Sequence, residues 1–143
     1  MTDAAVRLAF VCVRNAGRSQ MAAAFAERER RERGLEDRVE VVTGGTDPAE
    51  EVHPVVVDAM AEAGLDVSDR VPRTVPTTEL RSCDVVATMG CSTLSLGVDP
   101  DEAGVDVRDW ALADPGGQDL AAVRAIRDEV ERRVVALFDE LAP

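Results

Sequence analysis

Along this chain, short unbroken apolar runs alternate with segments of helical period. Val6-Arg7-Leu8-Ala9-Phe10-Val11-Cys12, Val39-Glu40-Val41-Val42-Thr43, Asp84-Val85-Val86-Ala87-Thr88-Met89 and Val105-Asp106-Val107-Arg108 are Val-rich and too short for helices, which predicts four strands. Gly44-Gly45 closes the second. A helix is predicted over 18–33, with Gly34 as its C-cap. Another runs from about His53 to Ala63, with an inward stripe of Val56, Ala59, Met60 and Ala63 and Gly64 at its end. A helical turn is expected at about Thr78–Ser82. The last helix spans Leu120 to Leu141, with Val123, Ile126, Val130, Val134, Leu137 and Leu141 inward. Segments 66–78, 92–104 and 109–117 read as irregular.

Strands alternating with helices indicate βαβ units. The expected fold is α/β, a three-layer sandwich with a four-stranded parallel sheet and helices on both faces, in one domain over 1–143. Ligands of such sheets bind beyond the carboxyl ends of the strands, where strand order switches. The loop after Cys12, Cys91 just past the third strand and the Asp114 loop all belong to that edge.

Composition narrows the function classes. Net charge is −12, and nucleic acid as partner is excluded because neutralising phosphates needs a basic face. No apolar stretch reaches membrane-span length and no signal core opens the chain, so a cytoplasmic protein is expected. Three irregularly spaced cysteines suit a reducing compartment. All 16 basic residues are Arg, so Lys-based Schiff-base chemistry is excluded. The acidity fits either a high-salt cytoplasm or an Arg-biased genome, and composition does not separate the two. Glu27-Arg28-Glu29-Arg30-Arg31-Glu32-Arg33 reads as a solvated helical face with mixed-sign pairs.

The chemistry concentrates in Cys12-Val13-Arg14-Asn15-Ala16-Gly17-Arg18-Ser19. A strand, a tight loop and a helix N-terminus aim backbone N–H groups and a helix dipole at one point, which suits a tetrahedral oxyanion. The same field favours a Cys12 thiolate, the nucleophilic form. Arg18 would clamp two oxygens with its planar fork. Ser19 would donate its hydroxyl to the thiolate and also cap the helix. Asn15 and Gly17 tolerate the left-handed backbone such a loop needs. Arg14 either adds a second cation or points into solvent. Val13 and Ala16 complete the anion-binding loop. His53, the only histidine and without metal-ligand spacing to other donors, reads as a helix cap, and no metal site is expected.

This Cys-x5-Arg-Ser segment, together with Gly44-Gly45-Thr46-Asp47-Pro48-Ala49, Thr88-Met89-Gly90-Cys91, Asp109-Trp110 and Asp114-Pro115-Gly116-Gly117-Gln118, resembles the low-molecular-weight protein tyrosine phosphatase superfamily and, within it, the arsenate reductases. The resemblance covers nearly the whole chain. It implies that Asp114 is the general acid that protonates the leaving group. It implies a small oxyanion (arsenate or phosphate) or a phosphoprotein as substrate.

Two enzyme readings follow. In arsenate reduction the Cys12 thiolate attacks arsenate, and a second thiol takes the adduct to arsenite. No bound cofactor is expected, and a low-molecular-weight thiol or thioredoxin would be the reductant. Related reductases carry a further cysteine where this chain has Ser95, so the second thiol is external or is Cys91. Cys83 precedes its strand and is expected at the opposite end from Cys12. In the alternative, a phosphatase, water resolves a Cys12 phosphoenzyme. There Gly116-Gly117 stands where protein phosphatases of the family carry aromatics, with Trp110 the one aromatic nearby and its plain reading core or rim packing. A third reading, a non-catalytic oxyanion-binding module, is disfavoured by the joint presence of Cys12, Arg18, Ser19 and Asp114.

Overall fold

The computed structural model describes residues 6–89 and 104–141. Among them the elements run β1 (Val6–Cys12), α1 (Arg18–Glu32), β2 (Val39–Gly45), α2 (Pro54–Glu62), α3 (Thr77–Arg81), β3 (Val85–Met89), β4 (Asp106–Asp109) and α4 (Leu120–Leu141). The strands form one parallel sheet in the order β2-β1-β3-β4. This is the expected α/β architecture, with β4 one residue later than its hydropathy indicated.

The central strand β1 is apolar throughout its second half because both faces are covered. Leu8, Phe10 and Cys12 point to the face packed by α1, α2 and α4, where Met21, Phe25, Val56, Met60, Val134 and Phe138 are buried. Ala9 and Val11 point to the other face, a smaller cluster with Val75, Cys83, Val86, Val105 and Leu80 of the five-residue α3. The two helical layers are therefore unequal, and the larger one carries most of the core.

Gly34 ends α1 as expected. Its φ is +67°, and the N–H groups of Gly34 and Leu35 donate back to the Arg31 and Arg30 carbonyls, at 3.2 and 2.8 Å. Ala63, expected inward, is the exposed C-cap of α2. The 27–33 segment is not merely a solvated face. Glu29 is buried and accepts from Arg28 and Arg33, whose guanidinium groups reach on to Glu131 and Asp139 of α4 at 2.7 and 2.8 Å. These arginines bridge two packed helices.

β2 runs through Gly44 and Gly45 instead of ending before them. A Cβ at Gly44 would sit 2.5 Å from Val75 Cβ, and one at Gly45 would sit 2.5 Å from the Val13 carbonyl oxygen. Both glycines are strand residues that allow another segment to approach. Among the described residues no helix is long and apolar enough to cross a membrane.

β1 connects to β2 on one side and is followed in the sheet by β3 on the other. The switch in strand order thus lies between the carboxyl ends of β1 and β3, where Cys12 pairs in register with Met89. That end of the sheet holds the loop singled out from the sequence.

Candidate active site

Cys12 is the last residue of β1, and the loop 13–17 turns directly into α1 at Arg18. The carbonyls of Val13, Arg14 and Ala16 accept hydrogen bonds from the N–H groups of Asp47, Ala49 and His53, each at 2.9 Å. No peptide bond here is cis. A planar trans peptide points its N–H opposite to its C=O, so the N–H groups of Arg14, Asn15 and Gly17 turn toward the inside of the loop. The Asn15 N–H accordingly donates to Cys12 Sγ at 3.2 Å. Segment 46–53 therefore acts as the outer buttress of an inward-facing amide ring, which suits an oxyanion.

Asn15 is the hub beneath this ring. It is fully buried and holds a left-handed φ of +52°. Its Nδ2 donates to Ser19 Oγ at 2.8 Å and to Thr43 Oγ1 at 2.9 Å. Its Oδ1 accepts from Gln20 Nε2 and from the Arg73 N–H, both at 3.0 Å. Thr43 passes its own proton to the Phe10 carbonyl at 2.8 Å. Loop, helix, second strand and the 73–75 segment thus meet on one side chain.

Ser19 Oγ lies 2.8 Å from Cys12 Sγ. A thiolate sulfur can only accept, so with Cys12 in that form the Ser19 hydroxyl donates to it while its oxygen accepts from Asn15. Ser19 does not cap the helix as expected. Gly17 occupies the N-cap position, and no side chain caps α1. Gly17 is not left-handed either, with φ −140°. Its requirement is space, since a Cβ there would fall 2.5 Å from Pro115 Cγ.

That contact brings the Asp114 loop onto the Cys12 loop. Arg18 donates from Nη1 to the Leu112 carbonyl at 2.9 Å, and its Nη2 is 3.9 Å from Asp114 Oδ2. Arg18 is 12% exposed and Asp114 65%, so the guanidinium sits within the cleft and the carboxyl at its mouth. Asp114 Oδ1 accepts from the Gly116 N–H at 2.9 Å, which fixes the turn. Arg14 is half-exposed and donates to Asp47 at 2.8 Å. It lies on the rim, held by a neighbour on the buttress.

Cys12, Val13, Arg14, Gly17, Arg18, His53 and Asp114 together line a cleft of about 270 Å³. The sequence reading missed His53. It occupies the N-cap position of α2 but makes no side-chain cap. Its imidazole instead faces the cleft. His53 Nε2 and Asp114 Oδ1 lie 3.3 and 3.2 Å from the point where a Gly116 Cβ would sit. Thr43, Gln20 and Gly45 were also missed as supports of the loop.

The other cysteines divide. Cys83 packs on the opposite face of the sheet, ahead of β3. Burial pushes its thiol up to about 11, against a smaller lowering by Arg7. With Cys12 level with Met89, Cys83 is about six residues away along the strand direction, roughly 20 Å at strand rise and far outside disulfide reach. Cys91 and Ser95 lie outside the described residues. Trp110 is core, its ring 5.8 Å from that of Phe10.

A family model described as low molecular weight phosphotyrosine protein phosphatase matches residues 7–96. A Halobacterium salinarum protein named "Putative arsenate reductase" is 62% identical over 141 residues, covering 99% of this chain and 96% of its own. A Synechocystis sp. protein named glutaredoxin arsenate reductase is 31% identical over 138 residues, covering 95% of this chain and 98% of its own. Among solved structures, the thioredoxin-dependent arsenate reductase of Corynebacterium glutamicum is similar with a TM-score of 0.77 at 31% identity. The match covers 98% of this chain and 63% of that one.

Proposed function

The chain belongs to the low-molecular-weight phosphotyrosine protein phosphatase family, and on that premise we propose that it reduces arsenate. The Cys12 thiolate attacks arsenate seated on the loop amides, and Arg18 clamps two of its oxygens. Asp114 protonates the departing hydroxide, leaving a Cys12–arsenic adduct. A second thiol then attacks Cys12 Sγ and releases arsenite. The observation that carries the reading is the pair of donors on Cys12 Sγ, the Asn15 N–H and the Ser19 hydroxyl, at the floor of a cleft that holds Arg18 and Asp114. The relatives named as arsenate reductases favour arsenate over a phosphoester as the oxyanion.

The second thiol is external or is Cys91. The position and elevated proton affinity of Cys83 argue against it. The glutaredoxin and thioredoxin in the names of two relatives make a dithiol protein or a small thiol the reductant class to supply. The test is arsenite production from arsenate by wild type, Cys12→Ser and Cys91→Ser with each of these thiols. Arsenite from wild type and none from Cys12→Ser supports the reading. No arsenite from wild type with any thiol system sinks it.

Phosphate monoester hydrolysis is the second reading, favoured by the carboxyl of Asp114 at the mouth of the same cleft. It shares the first step. Against an aromatic phosphoester, the only ring among the described lining residues is the His53 imidazole, and Trp110 is committed to the core.

A further inference from the structure

We propose that His53 is a second catalytic proton donor, used when arsenite leaves Cys12. The inference rests on the reductase reading above and concerns its second half, which no phosphatase needs.

Proton balance shows where a second donor would act. When water hydrolyses a phosphocysteine, the attacking water returns to the carboxyl the proton it gave to the leaving group. One acid then serves the whole cycle. Reduction has no such water. The Cys12–S–AsO3H⁻ adduct reacts with a thiol RSH and one further proton to give the Cys12–S–S–R disulfide and neutral As(OH)3. The S–S bond forms and the S–As bond breaks. The electron pair stays on arsenic, which falls from pentavalent to trivalent, while the two sulfurs are oxidised. The thiol brings one proton to the product oxygens. The other is delivered fastest by a donor in the cleft that is still protonated, since Asp114 has spent its own proton on the first leaving group and must recover one from solvent.

The described lining residues leave one source. Arg14 and Arg18 remain protonated and are not proton donors in this sense. Cys12 is the leaving sulfur, and Val13 and Gly17 carry no titratable group. Besides Asp114, only His53 is left. Imidazole exchanges protons near neutrality and is the commonest acid–base group in enzymes. Its place in the cleft suits this use. The His53 N–H is bonded to the Ala16 carbonyl at 2.9 Å, so the backbone is fixed to the oxyanion loop. The Cδ2–Nε2 edge approaches both Gly17 and Gly116, with Cδ2 3.5 Å from a Gly17 Cβ position and Nε2 3.3 Å from that of Gly116. The charged and titratable groups that share the cleft with it are Cys12 and Arg14 of the loop, Arg18 of α1 and Asp114 of the opposing turn. The imidazole therefore stands beside the Asp114 carboxyl, both facing the Gly116 turn and the cleft.

The experiment compares wild type with His53→Gln and His53→Ala. Arsenite release is measured with a saturating thiol. Oxyanion binding is measured separately, as the phosphate concentration that half-protects Cys12 from alkylation. Loss of a general acid costs about a hundredfold or more. Arsenite release in both variants should fall by about that factor, phosphate protection should change less than about twofold, and free imidazole should restore release in His53→Ala. Unchanged arsenite release overturns the inference and leaves the reductase reading standing. So does a loss that phosphate protection shares, or one that imidazole does not reverse. Absence of arsenite from wild type overturns both.

Discussion

Ser19 Oγ stands 2.8 Å from Cys12 Sγ while accepting a hydrogen bond of equal length from Asn15 Nδ2. A thiolate at Cys12 can only accept, so in the nucleophilic form the serine proton is directed at sulfur while its oxygen accepts from Asn15. A hydrogen bond to a charged group is worth about 1.5–3 kcal/mol, or roughly ten- to a hundredfold in rate. Ser19→Ala should slow alkylation of Cys12 at neutral pH by about that factor, followed by mass spectrometry with iodoacetamide. An unchanged rate would show that the thiolate does not depend on this donor.

Asn15 makes four side-chain hydrogen bonds inside the fold and holds a positive φ. At about 1 kcal/mol for each bond, Asn15→Ala should cost about 2–4 kcal/mol in urea denaturation, with stranded partners in Thr43, Gln20 and Arg73. Asn15→Asp keeps the shape but replaces the two N–H donors to Ser19 Oγ and Thr43 Oγ1 with an acceptor. It should lose activity even where stability is partly kept.

The strands and the Cys12–Ser19 loop were legible in the sequence because both leave local marks. A strand buried on two faces is an unbroken apolar run, and an oxyanion loop compresses Cys, Arg and Ser into eight positions. His53 left no such mark. A lone imidazole before Pro54 reads as a cap, and only folding carries it to the Asp114 turn. Glu29 misled for the same reason, since its arginine partners bridge to a helix about a hundred residues later. Periodicity reports which face of an element is buried. It does not report which distant side chain waits there.

The Gly17 backbone lies so close to Pro115 of the Asp114 turn that no side chain fits between them. Gly17→Ala places a methyl 2.5 Å from Pro115 Cγ, and relief by moving the turn carries Asp114 away from the leaving group. Stability should fall by about 1–3 kcal/mol, the usual cost of overpacking. Turnover should fall further, toward that of Asp114→Asn. Equal turnover in wild type and Gly17→Ala would mean that the turn is not held by this contact.

Cys83 links stability to alkaline pH. Burial raises its thiol from 9.0 to about 11. A group raised in the folded state contributes fully below its unfolded value and loses that contribution as pH climbs through the folded one. Thermal stability should therefore decline between about pH 9 and pH 11, and Cys83→Ala should flatten that decline. Cys83 should also resist alkylation at neutral pH under conditions that label Cys12, a difference read directly by peptide mapping.

The net charge of −12 sets a long-range field that opposes an anionic substrate, although the cleft itself is lined by Arg14, Arg18 and inward amides. The two effects differ in range. The Debye length shrinks from about 10 Å at 0.1 M salt to about 3 Å at 1 M. Added salt removes repulsion from distant carboxylates sooner than it weakens hydrogen bonds made at contact. The kcat/KM for an oxyanion should therefore rise between 0.1 and 1 M salt, chiefly through KM, with kcat little changed. Arg14→Ala removes a cation from the cleft lining and the partner of Asp47, which leaves the surroundings more negative and should steepen the salt dependence. A kcat/KM that falls steadily with salt would mean that local attraction dominates the approach and the acidic surface does not govern it.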